Sequence, residues 1–502
     1  MSGLRRDILA TLMPGFVGFE PPAWLSEAFD AGLASACVYG NNVRDREQLR
    51  SLGLALRELA PTALLAIDEE GGEVTRLSYL EGSPYPGAAV MGRIDDEAYS
   101  EEIGRRVAHE ILSAGFNLAL GPVADVNSNP LNPVIGTRSF GPTPELASRH
   151  VAAWVRGLEG EGAVACPKHF PGHGDTGQDS HHELPTVTAS RELLGERDLP
   201  PFGAAFAAGA RSVMTSHIVL TALDGSVPAT FSPLILQDLL RGELAFTGVV
   251  VSDALDMQGA SGEIGIPEAA VRALAAGCDL LCVGVDTTHE QLLEIVAHVA
   301  AAVEDGRLDA DRISDAAGRV RELGDAAGPR AAAAGGADTG STPREAITPA
   351  ELERIADSFD GAAAAREWAR DHPGAAVLRV DSEANMAVGF APWGPFAAAA
   401  LPFPGQGEQA AAFGARAQFD PSEAYPAGGV IVIGRELHRA PAALARIDAL
   451  LAVGTPVLVV EMGWPAAPEP GEHDAEYAAL ATYGSSALVG AALIDLLEST
   501  PS

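Results

Sequence analysis

Positive charge is scarce in this chain. Lys and Arg total 33 against 68 Asp and Glu, a formal net charge of −35. That balance excludes nucleic acid, whose phosphates are held by clustered Lys and Arg. It speaks equally against an anionic membrane surface as a partner. Long apolar runs are also missing, since no stretch reaches the ~18 residues a membrane span needs. The N-terminal sequence MSGLRRDILATLMPGFVGF has a basic start but is broken by Asp7, Pro14 and Gly15 and lacks a small-residue cleavage site. It reads as mature protein, with a cytoplasmic location expected. Cysteine is rare too: Cys37, Cys166 and Cys282 lie in strand-like apolar runs, and Cys278 just precedes the last of them. Their spacing matches no paired CxxC, so buried free thiols are expected rather than disulfides or a zinc cage. That usage suits a reducing compartment.

What the chain does contain is a regular alternation. Its 502 residues are 47% hydrophobic and 20% charged, a globular composition too long for one ordinary core. Short apolar runs occur at 35–40, 63–68, 117–125, 163–170, 212–218, 248–254 and 280–284, with a weaker one at 13–18. Continuous hydrophobicity of this kind marks strands buried on both faces of a parallel sheet. Helix-like stretches such as 101–115 and 267–277 lie between them. This is the rhythm and size of a (β/α)₈ TIM-type barrel over residues 1–325. Asp68, Asp125, Lys168, His169, His217 and Asp253 all fall at the C-terminal ends of the runs, the face where barrel enzymes place their chemistry. A doubly wound sheet would also gather residues at strand ends and remains the alternative. Residues 326–345, rich in Ala, Gly, Ser and Thr, read as a linker. Residues 346–502, with strand-like runs at 375–380, 428–434 and 455–463, read as a smaller α/β sandwich domain. The GRELHR stretch around Arg435 and His438 is expected to form solvated surface.

The densest chemistry runs from Lys168 to Pro185, which holds four of the chain's twelve histidines. Pro171, Gly172, Gly174 and Gly177 exclude a regular helix, so a long loop leaves the fifth run. Three readings compete: a polar surface loop, a metal site, or a loop that works on sugars. No pair of histidines at helical spacing supports the metal, and no metal or cofactor is expected.

The string K-H-F-P-G-H-G-D-T-x-x-D-S-H, from Lys168 to His181, resembles glycoside hydrolase family 3, within it the β-N-acetylglucosaminidase branch. The likeness extends over roughly residues 10–325, through PGFVGFEPPAWL, IDEEGGEVTRL, GTRSFG, MTSHI and VVVSDALDM. It implies that Asp253 is a nucleophile, His181 the general acid/base and Asp179 its partner. It also implies that Asp68, Arg76, Arg138, Lys168 and His169 hold the sugar. His217 of MTSHI is either a further member of that set or a satisfied core histidine. Asp68 could instead cap a helix, and Arg76 and Lys168 could be buried ion-pair partners. His173 reads as a loop-shaping residue, and Asp256 as the start of a following helix.

The implied activity is retaining hydrolysis of a terminal β-linked N-acetylglucosamine, through a glycosyl-enzyme on Asp253, with cell-wall recycling as one setting. A histidine donor is chemically reasonable, because an ordinary imidazole titrates near pH 6.5 and Asp179 can orient it. The expected partner is a small carbohydrate. Two other functions stay open: a phosphorylase using the same residues with phosphate as acceptor, and a non-catalytic sugar-binding protein.

Overall fold

The computed structural model describes residues 2–177, 184–262, 264–336, 347–382, 387–389, 391–398, 407–417, 428–465 and 478–498. The chain is α/β and divides into two compact units. The first comprises Met1–Glu70, Asp96–Ile135 and Gly141–Thr342; the second comprises Gly71–Asp95, Gly136–Phe140 and Pro343–Ser502.

In the first unit the strands are β1 (Leu12–Pro14), β2 (Ser35–Val38), β3 (Leu64–Ile67), β4 (Leu118–Ala119), β5 (Val164–Ala165), β6 (Thr186–Val187), β7 (Ser212–Met214), β8 (Val219–Leu220), β9 (Val249–Val251) and β10 (Leu281–Gly284). β2, β3, β4 and β5 pair in sequence order, β1 pairs with β10, and β7 with β9, all parallel. Parallel bridges add Phe170 to Thr215 and Val251 to Leu280. β6 and β8 form a separate parallel pair. The weak first run is therefore a genuine strand.

Strand periodicity decides what fills the middle. Met13, Cys37, Ala66, Leu118, Val164, Met214, Val251 and Cys282, each from a different strand, join one buried cluster. Alternate residues such as Leu65 and Ile67 are equally buried but stand outside it, on the opposite side of their strand. All four cysteines are buried and free, as their apolar settings require.

The helices follow their caps. Asp96 accepts from the Ala98 and Tyr99 amides and starts Glu97–Ser113 several residues before the apolar pattern alone would place it. Thr143 caps Pro144–Gly160. These two helices cross at glycines: a Cβ on Gly157 would lie 2.0 Å from the Glu101 carbonyl oxygen, and one on Gly104 2.4 Å from that of Trp154. The helix Ala310–Gly336 runs on into the segment whose composition reads as linker. Alanine is the best helix former, so Ala-rich composition alone does not separate linker from helix.

The second unit is built on β11 (Ala376–Val380), β12 (Val430–Gly434), β13 (Val457–Glu461) and β14 (Ala478–Ala481), parallel and in that order. Ile431, Ile433, Leu458 and Val460 pack with the helix Ala487–Glu498 on one face. Val430, Val432, Val457 and Val459 pack with Pro441–Ala452 on the other. The GRELHR stretch is not solvated surface. Arg435 and His438 are half-buried, and the Arg435 guanidinium lies 5.0 Å over the Trp393 ring, because the segment directly follows a buried strand and Leu437 anchors it.

Candidate active site

Within the first unit, parallel strands carry their last residues to one end, and the ionisable groups stand just beyond them. Asp68 follows β3, Lys168 and His169 follow β5, His217 follows β7, and Asp253 follows β9. Lys168, 4% exposed at its side chain, is clamped between two carboxylates. Its Nζ is 2.9 Å from Asp68 Oδ1 and 2.8 Å from Glu70 Oε1. The ion-pair reading of Lys168 is thus correct as geometry. Deep in the same end, burial pushes the Cys166 thiol up to about 12; Lys168, Asp253 and Asp68 all lie within its electrostatic reach.

The loop after β5 is built from its backbone outward. Asp125, fully buried, accepts from His169 Nδ1 at 2.7 Å through Oδ2 and from the His173 amide at 2.7 Å through Oδ1. The His169 amide adds a longer bond at 3.2 Å. His173 Nδ1 meets Thr176 Oγ1 at 2.7 Å, and Asn132 Nδ2 donates to the His173 carbonyl at 2.9 Å. Burial, then the neighbouring His169, brings His173 down to about 4, so it stays neutral near pH 7. This supports its reading as a loop-shaping residue. Gly174 leaves no room for a side chain, since a Cβ there would lie 1.7 Å from the Val126 carbonyl oxygen. Gly172, at φ +128, seats directly on Asp198. Arg197 holds both Asp198 and, at 2.9 Å, Asp175 of the loop. Burial pushes the Asp198 carboxyl up to about 6, against the pull of Arg197.

Around Asp253 the Ala254 amide donates to Oδ1 at 2.8 Å. His217 is fully buried: Nε2 donates to the Ala254 carbonyl at 3.0 Å, and Nδ1 lies 2.9 Å from Thr230 Oγ1. Both ring nitrogens thus have protein partners, the arrangement expected of a satisfied histidine. Asp256 accepts from the Val285 amide at 3.0 Å and so ties this loop to the end of β10. Burial raises its carboxyl pKa.

Arg76 and Arg138 belong to the second unit. Arg76, buried, donates to the Ala387 carbonyl at 2.9 Å, and its guanidinium lies 5.6 Å over the Tyr79 ring. Arg138, also buried, closes the 3₁₀ turn Gly136–Arg138. Asp179 and His181 lie outside the described residues. Sequence reasoning gave no role to Glu70, Asp125, Arg197 or Asp198. Asp125 carried a strand-end signal; Glu70, two residues past the end of β3 in IDEEGG, carried a weaker one.

A sequence profile of the Glycosyl hydrolase family 3 N terminal domain matches residues 24–323. The chain belongs to glycosyl hydrolase family 3. The family resemblance read from the motifs is thereby borne out. Beta-hexosaminidase A of Pseudoalteromonas piscicida is 33% identical over 347 residues, which are 64% of this family 3 chain and 57% of that relative. The chain therefore spans little more than half the length of that protein. A beta-hexosaminidase of Stenotrophomonas maltophilia is 34% identical over 297 residues, 57% of this chain and 86% of the relative. Among solved structures, a family 3 β-N-acetylglucosaminidase from Paenibacillus sp. str. FPU-7 superposes with a TM-score of 0.78 at 30% identity, covering 98% of this chain and 96% of that one.

Proposed function

We propose that this protein is a retaining β-N-acetylglucosaminidase that releases terminal β-linked N-acetylglucosamine. The observation that carries the reading is the buried Lys168–Asp68 ion pair just past the strand ends of a family 3 chain in which Asp253 likewise follows a parallel strand. The names of the relatives supply the sugar. The strands of residues 1–325 are taken to close as a (β/α)₈ barrel, a reading supported by the single cluster that their inner side chains share.

Retaining hydrolysis needs a fixed carboxylate on one face of the anomeric carbon and a proton donor at the leaving oxygen. Asp253 is assigned the first role, its carboxylate held by the Ala254 amide. His181, oriented by Asp179, is assigned the second: it protonates the departing oxygen and then takes a proton from the attacking water. Asp68, Lys168 and His169, with Arg76 and Arg138, are assigned to the sugar's hydroxyl and acetamido groups. Asp68 and Glu70 hold the Lys168 side chain in place at the strand ends. The setting proposed is cytoplasmic cell-wall recycling. No helix among the described residues is long and apolar enough to cross a membrane.

The test is release of p-nitrophenol from p-nitrophenyl β-N-acetylglucosaminide and from the glucoside, with phosphate and chelator varied. Turnover of the acetamido sugar, indifferent to both additions, is expected. Acceleration by phosphate would make the protein a phosphorylase, and no turnover of either sugar would make it a binding protein.

A further inference from the structure

Asp125 is a carboxylate with 0% exposure, and a histidine is among its partners. Burying an ionised carboxylate is costly unless hydrogen bonds replace its water. Three here come from one short stretch of chain: His169 Nδ1 at 2.7 Å, the His173 amide at 2.7 Å and the His169 amide at 3.2 Å. An ionised carboxylate only accepts, so His169 must present Nδ1 as N–H. Among the described residues Nε2 of His169 has no hydrogen-bond partner. The neighbouring His173 is arranged differently, with Nδ1 against a hydroxyl that can donate or accept.

We propose that Asp125 is a positioning residue that locks His169 in the Nδ1–H tautomer, so that Nε2 accepts a hydrogen bond from a sugar hydroxyl, while the same carboxylate pins the first turn of the loop after β5. The lock is set before substrate arrives. A His169 in the opposite tautomer would offer a donor where the hydroxyl needs an acceptor, and would lose the 2.7 Å bond from Nδ1 to Asp125. Asp125 acts only through His169 and the loop backbone.

The experiment uses the full chain with ¹⁵N-labelled histidine, read by NMR above pH 7, with His169→Gln to assign the resonance. The ¹⁵N–¹H pattern of His169 is expected to show Nδ1 protonated and Nε2 bare in the parent. In Asp125→Asn, whose amide can also donate, the two nitrogens should average or exchange. A parent that carries its proton on Nε2 overturns the proposal, as does a folded Asp125→Asn variant with an unchanged pattern. The parent spectrum decides even if the variant does not fold. A kinetic arm rests on the functional reading above: Asp125→Asn should raise KM and lower kcat/KM on the order of 100-fold. An inactive parent would sink that reading and leave the tautomer result standing.

Discussion

Lys168 enters the site with two carboxylates already on it, so removing its ammonium takes one cationic partner from both Asp68 and Glu70 in a nearly dry place. Lys168→Met should lower unfolding free energy by about 3–5 kcal/mol, because it breaks two buried ion pairs by removing their shared partner. Glu70→Gln, which keeps one carboxylate opposite the lysine, should cost clearly less. Urea unfolding of both variants checks the order; equal losses would mean that the lysine's packing outweighs its charge. His173 sets a pH limit at the same scale. Its native pKa, near 4 through burial, lies below the ordinary 6.5 of an unfolded histidine. Between those values the unfolded chain binds the extra proton, so stability present above pH 6.5 is lost as pH falls. Relative to His173→Gln, the parent should lose on the order of 2 kcal/mol from pH 7 to pH 5. Asp198 works with the opposite sign: raised to about 6, it is protonated first in the native state, and its contribution is lost as pH rises from 4 to 6. Comparing parent and variant at each pH isolates the histidine.

The loop after β5 and the helix pair beside it depend on glycines for a simpler reason. A methyl group at Gly157 would press on the Glu101 carbonyl, and one at Gly174 on that of Val126. Gly157→Ala should destabilise by about 1–3 kcal/mol, the usual cost of overpacking, while leaving KM unchanged. Gly174→Ala should disturb the loop and therefore kcat more than the unfolding midpoint; a variant with parental kcat would show that the loop tolerates displacement. Elements were legible in the sequence where hydrophobic pattern and position coincided. The runs over β3, β7, β9 and β12 stand out because strands covered on both faces need continuous apolar residues. Asp96 as a cap, β14 in its Ala-rich setting and the helical start of the supposed linker did not. Capping is a matter of one side chain, and alanine fills helix, strand and linker alike.

At the scale of the whole chain, the charged strand ends were readable because parallel strands point one way, so residues far apart in sequence arrive at one end. What could not be read was partnership. Nothing in IDEEGG says that Glu70 rather than Glu69 meets Lys168, and nothing in PVADVN says that Asp125 reaches under two backbone amides forty-odd residues on. Nor does the sequence reveal that EVTRL and GTRSF fall within the compact unit that holds the C-terminal sheet. The central claim is that Asp253 is the nucleophile of an N-acetylglucosaminidase. Its most direct test is the rate of p-nitrophenol release from p-nitrophenyl β-N-acetylglucosaminide by the parent and by Asp253→Ala. The account predicts turnover by the parent that falls on the order of 10⁴-fold or more in the variant, with the glucoside left untouched by both. An Asp253→Ala protein that hydrolyses the substrate at the parental rate would contradict it.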